Sequence, residues 1–413
     1  MNILSGRMPQ IFMDVSRLLS RAGNPVPTGI DRVEVEYVRY LLRHAAERTI
    51  FTAIHPLGHI GLLQRDEVIA FIDQMEAVWN GEKVSPRITK WTARHLTFVR
   101  TLASGSAVQP GGIYLLVSHH HLTRPDSIAR FLRRHRAVFV PMVHDLIPIE
   151  FPEYARPAEP ERHLRRITTV TDLADGVIVP SKAVEASLAP FIARSGRKIT
   201  VKTIPHGLHL HAMREETATM PRTSQDQRPY FVSLGTIEPR KNHLLLLNQW
   251  RNMVQELGEH APQLILVGRR GWENENVLDM LERCPALQGH VIEHNDLSDP
   301  QVVALLRRSQ GLLFPSFAEG FGLPLAEALM LGVPCICSDL PVFREVAGDV
   351  ALYLDPTNGP AWQTAIMNHM PDCHPKRPGP ADIAPLGFAN WPVRAAEGVA
   401  FADAIATEHH ISG

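Results

Sequence analysis

Cysteine is scarce in this 413-residue chain, and its four cysteines form no Cys-x-x-Cys pair. They stand at positions 284, 335, 337 and 373, and two of them fall in an apolar run, residues 333–337, that predicts a strand. The simplest account is a set of buried free thiols in a reducing cytoplasm.

The chain also lacks long apolar runs. None approaches the ~20 residues that a membrane helix needs. The N-terminal stretch lacks a signal-peptide layout, because its apolar part is short and passes directly into a strand pattern. Hydrophobic residues make up 45% and charged residues 21% of the chain, as in ordinary globular proteins. We therefore expect a cytoplasmic protein large enough for two domains.

A net charge of only −1 hides an uneven distribution. Residues 1–205 hold 27 Lys and Arg against 19 Asp and Glu, whereas residues 206–413 hold 15 against 24. Much of the basic excess lies in residues 130–136 and 156–166. Solvated helix faces would explain either cluster. Alternatively, the first half contacts an anionic partner, such as a membrane surface or a lipid pyrophosphate.

Short apolar strands alternate with amphipathic helices along the chain, which predicts an α/β fold with parallel sheets. The predicted strands are residues 11–15, 50–54, 113–117, 138–143, 177–179 and 199–204 in the first half, and 230–235, 263–267, 290–293, 311–314, 333–337 and 351–354 in the second. The polar segment 210–228 between the halves is typical of a linker.

This layout predicts two doubly wound, Rossmann-like domains facing a central cleft. The first would take residues 1–205 and the second residues 206–389. A last helical pattern, at about 390–413, could pack back on the first domain. Ligands in such sheets bind beside the carboxyl ends of the strands, so we expect the site in the loops that follow them.

Two glutamates, Glu319 and Glu327, stand eight positions apart around a Gly-Phe-Gly-Leu-Pro turn at residues 320–324. Pro324 suits the first turn of a helix. The pattern thus places Glu319 on a strand-to-helix loop and Glu327 one turn into the helix. Backbone amides at a helix N-terminus suit phosphate. An isolated pair at this spacing is commonly structural, but with this turn it favours a nucleotide sugar as ligand.

Two adjacent cations, Arg240 and Lys241, precede an apolar helix pattern that starts near residue 243. Cations at a helix start oppose the helix dipole. That conflict predicts a bound anion such as a pyrophosphate. The alternative is a pair of solvated surface cations.

Candidate residues in the first half follow predicted strands. Thr28 and Asp31 match a variant of the capping box, and Gly29 between them would let a phosphate or sugar approach. A plain helix cap explains this segment equally well. His144, next to Asp145, could donate to a substrate hydroxyl or stabilise developing charge. The alternative is a buried His–Asp pair that closes a turn.

Three consecutive histidines, His119, His120 and His121, follow the predicted strand at residues 113–117. Neighbouring residues on an extended segment point to alternate faces. We therefore expect at most one of these side chains to line the cleft. The same alternation argues against a metal site there.

Taken together, these segments resemble family 4 of the retaining glycosyltransferases, which have the two-domain GT-B fold. The matching segments are Thr28-Gly29-Ile30, His144-Asp145, Pro205-His206-Gly207, Glu238-Pro239-Arg240-Lys241, and Glu319 through Glu327. The chain departs from many relatives at Thr236, where they carry arginine, and at His206, where asparagine is frequent.

The resemblance implies a role for each matching residue. Arg240 and Lys241 would hold the donor diphosphate, and His144 would contact the donor sugar near the reacting carbon. Glu319 would contact sugar hydroxyls and Glu327 the ribose. The remaining substrate-binding residues implied by the resemblance are Gly29, Asp145, Phe321, Gly322 and Leu323. The family needs no metal or other cofactor, and the chain has no Asp-x-Asp signature.

A Gly-x-x-Gly-Trp pattern at residues 268–272 is similar to bacterial mannosyl- and rhamnosyltransferases of polysaccharide assembly, and it favours GDP-mannose as donor. The resemblance therefore implies a metal-independent, retaining hexosyltransferase of cell-surface polysaccharide synthesis. Its partners would be a nucleotide sugar and a glycan or lipid-linked glycan acceptor, with no nucleic acid. We expect peripheral contact with the inner face of the cell membrane.

Other functions on this fold stay open. A phosphorylase would need a pyridoxal-binding lysine, and the second half offers only Lys241 and Lys376. A nucleotide-sugar epimerase would act on the donor without an acceptor. A non-catalytic glycan-binding protein would not need the glutamates and cations that this chain retains.

Overall fold

The computed structural model of the protein describes residues 8–80, 82, 85–102, 110–209 and 228–412. It divides into two compact units. The first comprises the described parts of residues 1–149, 158–207 and 391–413, and the second those of 150–157 and 208–390. The predicted linker lies outside the described residues, apart from position 228. None of the helices described is both long and apolar enough to cross a membrane.

The first unit is built around a five-stranded sheet of order β3-β2-β1-β4-β5. Its strands are β1 Gln10–Asp14, β2 Thr49–Ile54, β3 Ile60–Leu63, β4 Gly112–Leu116 and β5 Val138–Pro141. A two-stranded sheet of β6 Gly176–Val179 and β7 Thr200–Thr203 continues it, because the amide of Val143 donates to the Ile178 carbonyl at 2.9 Å. All pairs are parallel except β2 with β3.

Helices connect these strands. They are α1 Ser16–Ser20, α2 Gly29–His44, α3 Arg65–Trp79, α4 Pro86–His95, α5 Pro125–His135, α6 Ile147–Glu150, α7 Glu159–Leu173 and α8 Lys182–Ser195. The predicted capping box opens α2, since the Thr28 amide donates to Asp31 at 2.8 Å and the Thr28 side chain accepts from the Asp31 amide. Satisfying these otherwise orphaned amides fixes the start of α2.

The second unit is built on a fully parallel sheet of order β10-β9-β8-β11-β12-β13. Its strands are β8 Tyr230–Leu234, β9 Gln263–Val267, β10 Val291–His294, β11 Gly311–Phe314, β12 Cys335–Ser338 and β13 Leu352–Leu354. Its helices are α9 His243–Leu257, α10 Glu275–Arg283, α11 Asp299–Arg308, α12 Leu323–Met330, α13 Pro341–Ala347, α14 Gly359–Asn368 and α15 Pro380–Ile383. The predicted α/β fold class with parallel sheets is confirmed.

The last helix, α16 Trp391–Ser412, belongs to the first unit. Its Asp403 pairs with Arg48 at 2.6 Å. Gly398 faces Tyr37 of α2 so closely that any Cβ would overlap the tyrosine ring and hydroxyl. Residue 398 must therefore be glycine for the two helices to approach this far.

Differences from the predicted strands are confined to strand ends and one sheet edge. The predicted strands do not include β3, a four-residue edge strand that contains Gly61 and pairs antiparallel with β2. That glycine lies against the backbone of Thr101, where any side chain would overlap. All four cysteines are free, and Cys335 is buried as expected, but Cys373 is exposed.

Replacing Gly398 with alanine should destabilise the first unit. Alanine gains about 1 kcal/mol over glycine in a helix interior, but forcing a methyl group against Tyr37 costs roughly 1–3 kcal/mol. Urea unfolding of Gly398→Ala and Gly398→Ala/Tyr37→Phe would measure this, and the second variant should recover part of the loss. A more stable Gly398→Ala protein would contradict the close contact.

Candidate active site

The strand order of the second sheet reverses between β8 and β11, which is where open α/β sheets bind ligands. The loop after β8 carries Glu238, Arg240 and Lys241, and the loop after β11 carries Glu319. The backbone ties the two loops together, because the Phe317 amide donates to the Arg240 carbonyl at 2.8 Å. The topology thus brings together charged residues that lie 78 positions apart in sequence.

The Glu319 carboxylate is the centre of this cluster. It accepts from Arg240 Nη1 at 2.8 Å, from Ser316 Oγ at 2.8 Å and from Lys241 Nζ. A second carboxylate, that of Glu238, forms an ion pair with Arg240 Nε at 2.6 Å. The side chains of Glu319 and Lys241 are only 8% and 10% exposed. The cluster is therefore a desolvated network of two anions and two cations.

Burial and neighbouring charges shift the pKa of both partners of the central pair, and Glu319 is ionised near neutral pH. Burial acts to raise the pKa of Glu319, but the charges of Arg240 and Lys241 outweigh it and lower this pKa to about 2. Burial lowers the pKa of Lys241, and Glu319 offsets part of that effect. Both pKa values are lowered for different reasons, because two cations stabilise the Glu319 anion, whereas burial and the charge of Arg240 oppose the Lys241 cation.

This pairing revises the electrostatic argument from sequence. The two cations at the start of α9 already have anions, since the carboxylates of Glu238 and Glu319 lie on them. Their position alone therefore does not require an external phosphate. Glu319 also has a structural role, because removing its charge would leave the buried Lys241 without its carboxylate partner and Arg240 with Glu238 alone.

The glycine turn after Glu319 starts α12 as predicted. Gly322 is the N-cap, with φ of 96°, and a Cβ there would lie 2.9 Å from Phe343. Pro324 stands in the first turn, and Glu327 is half-buried one turn into the helix. Pro324 has no amide hydrogen and the Leu325 amide donates to the Gly322 carbonyl at 3.0 Å, so the helix dipole, rather than a row of open amides, favours an anion at this end.

Residues 150–157, which belong to the second unit, lie beside the Glu319 loop. The sequence does not predict this contact. The Tyr154 ring stacks on Phe317 with centroids 5.1 Å apart and planes 9° apart. The Arg156 guanidinium lies 4.6 Å from the centroid of Trp272, the tryptophan of the Gly-x-x-Gly-Trp pattern. Residues 150–157 therefore contribute to the surroundings of the Glu319 loop.

In the first unit, His144 belongs to a series of four neighbouring imidazoles whose rings meet edge-on or tilted. His119 lies 5.0 Å from His144 and 5.4 Å from His163 between ring centroids, and His206 lies 5.7 Å from His144. The neighbours of the series are close: His206 also lies 5.7 Å from the Trp391 ring of α16. We call these four residues the histidine stack.

Backbone groups set the tautomers in this stack. His144 Nε2 lies 2.9 Å from the Val117 carbonyl, which can only accept, so this nitrogen carries the proton. His119 Nε2 must be unprotonated, because the His144 amide donates to it at 3.3 Å. The Nε2 proton of His144, which was expected to be donated to a substrate hydroxyl, is donated to the Val117 carbonyl in this structure. The Nδ1 atom of His144 can then only accept a hydrogen bond.

The other two substrate-binding candidates of the first unit have structural roles here. Asp145 Oδ1 accepts from the Ile147 amide at 3.1 Å, so this side chain closes a turn rather than pairing with His144. Gly29 is the exposed first residue of α2, beside the capping box. Their proposed contacts with substrate stay predictions.

A polar pocket of about 410 Å³ lies at the corresponding switch point of the first sheet, between β1 and β4. Its lining is polar and basic: Ser16, His55, Thr97, His120, His121, Arg124 and Arg162 are among its residues. The alternation of an extended segment predicts at most one of the three histidines at a ligand site, but both His120 and His121 line this pocket. The chain turns after Val117 instead of running extended, so the alternation does not apply.

Buried acids behind this pocket also escaped the sequence analysis. The Tyr114 hydroxyl lies 3.0 Å from Asp14 Oδ2 and 2.7 Å from His121 Nε2. Burial raises the pKa of Asp14. It also raises the pKa of Glu34 well above its ordinary value.

Across the described residues, no group of three or more His, Cys, Asp or Glu could hold a metal ion.

Residues 216–370 match the family described as Glycosyl transferases group 1. The serotype-specific mannosyltransferase WbdA of Escherichia coli is 28% identical over 223 residues, 51% of this chain and 27% of that protein. The O-antigen chain mannosyltransferase B of Escherichia coli is 36% identical over 143 residues, 35% of this chain and 37% of that protein. The chain thus spans 27% to 37% of the length of these relatives. The resemblance to bacterial mannosyltransferase-like glycosyltransferases is confirmed.

Solved structures share the architecture. Sucrose-phosphate synthase from Thermosynechococcus elongatus superposes with a TM-score of 0.65, at 17% identity, over 97% of this chain and 100% of that one. At that identity the match shows the fold alone. It confirms the GT-B fold that the motifs predict.

The histidine stack should make the first unit sensitive to acid. Burial lowers the pKa of His144 to about 4 and that of His206 to about 3, whereas an unfolded histidine titrates near 6.5. The unfolded chain therefore binds more protons, and stability falls as pH drops below about 6.5, by roughly 1.4 kcal/mol per pH unit for each such group.

Thermal unfolding between about pH 7.5 and about pH 5 would check this slope. His206→Asn should unfold with a shallower pH dependence than the unaltered protein, because one proton-linked group is lost. A melting temperature that stays constant over this range would contradict the neutral stack.

Proposed function

We propose that the protein is a glycosyltransferase that moves a hexose from a nucleoside diphosphate sugar to a glycan or lipid-linked glycan acceptor. The observation that carries this proposal is the Glu319 carboxylate holding Arg240 and Lys241 beside the N-terminus of α12, at the switch point of the second sheet. The match of residues 216–370 to group 1 glycosyltransferases supports it.

The donor diphosphate would lie between the cations and the α12 terminus. Arg240 and Lys241 are already held in place, so they can stabilise charge on the leaving group with little reorganisation. Because their charges are balanced by Glu238 and Glu319, the diphosphate must share them with these carboxylates. Glu319 would accept hydrogen bonds from the sugar hydroxyls at one end of the donor. Glu327 would accept hydrogen bonds from the ribose hydroxyls at the other end.

We further propose transfer with retention of configuration at the sugar carbon, as the family resemblance implies. The bond between that carbon and the phosphate oxygen breaks as the acceptor oxygen bonds to the same face. The departing phosphate oxygen takes the acceptor proton. The relatives named mannosyltransferases support mannose as the sugar. The resemblance carried by the Gly-x-x-Gly-Trp pattern at residues 268–272 favours GDP-mannose as the donor.

The polar pocket of the first unit is our candidate for the acceptor. Arg124 and Arg162 give it positive charge, and burial lowers the pKa of His120 to about 4 and that of His121 to about 3, which keeps both imidazoles neutral. Neutral imidazoles and hydroxyls suit sugar hydroxyls, and the two guanidiniums suit a phosphate. A lipid-linked acceptor would bring the protein to the inner face of the cell membrane.

The charge network gives opposite expectations for its members. Lys241→Met should weaken binding of free GDP, because a charge partner of the phosphate is lost. Glu319→Gln should not weaken GDP binding, because it releases Lys241 and leaves Arg240 with Glu238 alone, yet it should lower turnover at least about a hundredfold by removing the sugar contact. Isothermal titration of GDP and a transfer assay would measure the two effects.

The exposed Arg251 on α9 offers a matched control, because Arg251→Met removes a cation from the same unit outside the cluster. It should leave both GDP affinity and turnover unchanged. Equal GDP affinity in Lys241→Met and the unaltered protein would refute the phosphate role. Normal turnover in a folded Glu319→Gln protein would refute the sugar contact.

We also propose that transfer needs no metal ion, since side chains and a helix terminus supply the positive charge at the diphosphate. Activity should therefore persist in excess EDTA. Activity that is lost in EDTA and restored by Mg²⁺ or Mn²⁺ would overturn this part of the proposal.

A further inference from the structure

A stripe of large apolar side chains faces solvent on α4 and the helical turn that follows it, Leu96–Arg100. The exposed fractions are 55% for Ile88, 68% for Trp91, 51% for Phe98 and 57% for Leu102. These four positions and His95, which stacks on Trp91, follow one another at spacings of three and four residues. We call these five residues the exposed stripe.

The opposite side of the same segment is small and packed inward. Thr89, Ala93, Leu96 and Thr101 are buried against the first unit. The segment thus turns its largest apolar residues outward, the reverse of an ordinary amphipathic surface helix. A contiguous apolar surface of this kind marks an interaction site.

The charges around the stripe have one sign. Residues 83–125 contain no Asp or Glu, and they contain six Lys and Arg. Arg87, Lys90 and Arg94 are exposed beside the stripe. On the adjacent helix α3, Glu67 pairs with Arg100, one of these six cations, and Asp73 pairs with Arg39, so neither acid is paired with the three cations beside the stripe.

We propose that the exposed stripe and its three cations dock the first unit onto an anionic lipid bilayer. Ile88, Phe98 and Leu102 would enter the interfacial region. Trp91 would lie at the level of the headgroups, where its amphipathic ring is favoured. Arg87, Lys90 and Arg94 would meet lipid phosphates, with attraction that falls off within a Debye length.

The position of the polar pocket fits this surface. Thr97, from the turn that carries Phe98, lines the pocket, and Phe98 packs edge-on against His55 of the pocket wall at 5.7 Å between ring centroids. The stripe and the pocket are therefore adjacent parts of one surface. A membrane at the stripe would place lipid headgroups beside the pocket, where a lipid-linked acceptor would present its sugar end.

Charge argues against a second copy of the chain as the occupant. In a twofold dimer the same patch lies on both sides of the interface. Arg87, Lys90 and Arg94 would then face a surface that carries the same cations and no acid from residues 83–125. An anionic bilayer instead supplies both the apolar layer and the opposite charge.

This surface differs from the two arginine clusters that the sequence indicates. Arg133 and Arg134 are exposed on α5, but they have no comparable apolar stripe beside them among the exposed large hydrophobic residues described. In the cluster at 156–166, Arg166 is paired with Glu159 at 2.5 Å. The exposed stripe offers both elements that interfacial binding needs, whereas the 156–166 cluster has one exposed large apolar side chain, Leu164, and the 130–136 cluster has none among the described residues.

The test is co-sedimentation of the full chain with vesicles of phosphatidylcholine alone and of phosphatidylcholine mixed with phosphatidylglycerol, without any sugar donor. The unaltered protein should bind only the anionic vesicles, and added salt should weaken binding. Trp91→Ser/Phe98→Ser should reduce the partition coefficient more than about tenfold. Lys90→Glu/Arg94→Glu should reduce it by at least about fivefold for each cation lost.

A matched control, Arg133→Glu/Arg134→Glu, makes the same charge change on α5. It should keep most of the vesicle binding. Trp91 emission, obtained as the difference between the unaltered protein and Trp91→Phe, should shift to shorter wavelength on anionic vesicles only. Because no donor is present, these outcomes do not depend on sugar transfer.

Three results would overturn the proposal. Equal losses of binding in the α5 control and the α4 variants would show nonspecific attraction. Binding unaffected by Trp91→Ser/Phe98→Ser would exclude the stripe. A dimer in sedimentation-velocity runs without lipid, dissociated by Trp91→Ser in a protein that binds no vesicles, would assign the stripe to a second copy.

Discussion

The pairing of Glu319 with Arg240 and Lys241 is the constraint on which the candidate active site depends. It joins the loops after β8 and β11, it makes the cluster neutral before any donor binds, and it fixes two cations beside a helix terminus. A diphosphate in this site would exchange partners within a desolvated network instead of meeting bare cations. Such a site can hold its charges in place without exposing uncompensated positive charge to other anions.

The first unit has a different electrostatic character. Its histidine stack is held neutral by burial, and the backbone carbonyl of Val117 sets the tautomer of His144. The polar pocket adds two exposed arginines beside neutral histidines. The candidate site of the second unit is therefore a buried cluster of paired charges, whereas the pocket of the first unit offers hydrogen-bonding groups and a basic rim.

The sequence predicts the local features of this protein, but it does not predict which distant residues pair. The run Gln263–Val267 and the proline of α12 predict their elements because burial and backbone restriction act within a few residues. The partners of Glu319 depend on which strands are neighbours in the sheet. The contact of Tyr154 with Phe317 depends on residues 150–157 joining the second unit, which no hydrophobic periodicity predicts. His144 was identified by its position, but its hydrogen bond to Val117 follows from the turn between β4 and α5.

The return of α16 to the first unit has a consequence for how the chain folds during synthesis. Residues 208–390 must be translated before the helix that covers α2 exists. At typical rates of ~5–20 residues per second, this interval lasts about 10 to 40 s. The unit whose synthesis starts first is thus completed last, and until then Tyr37 and its neighbours on α2 are open to chaperones or to misassembly.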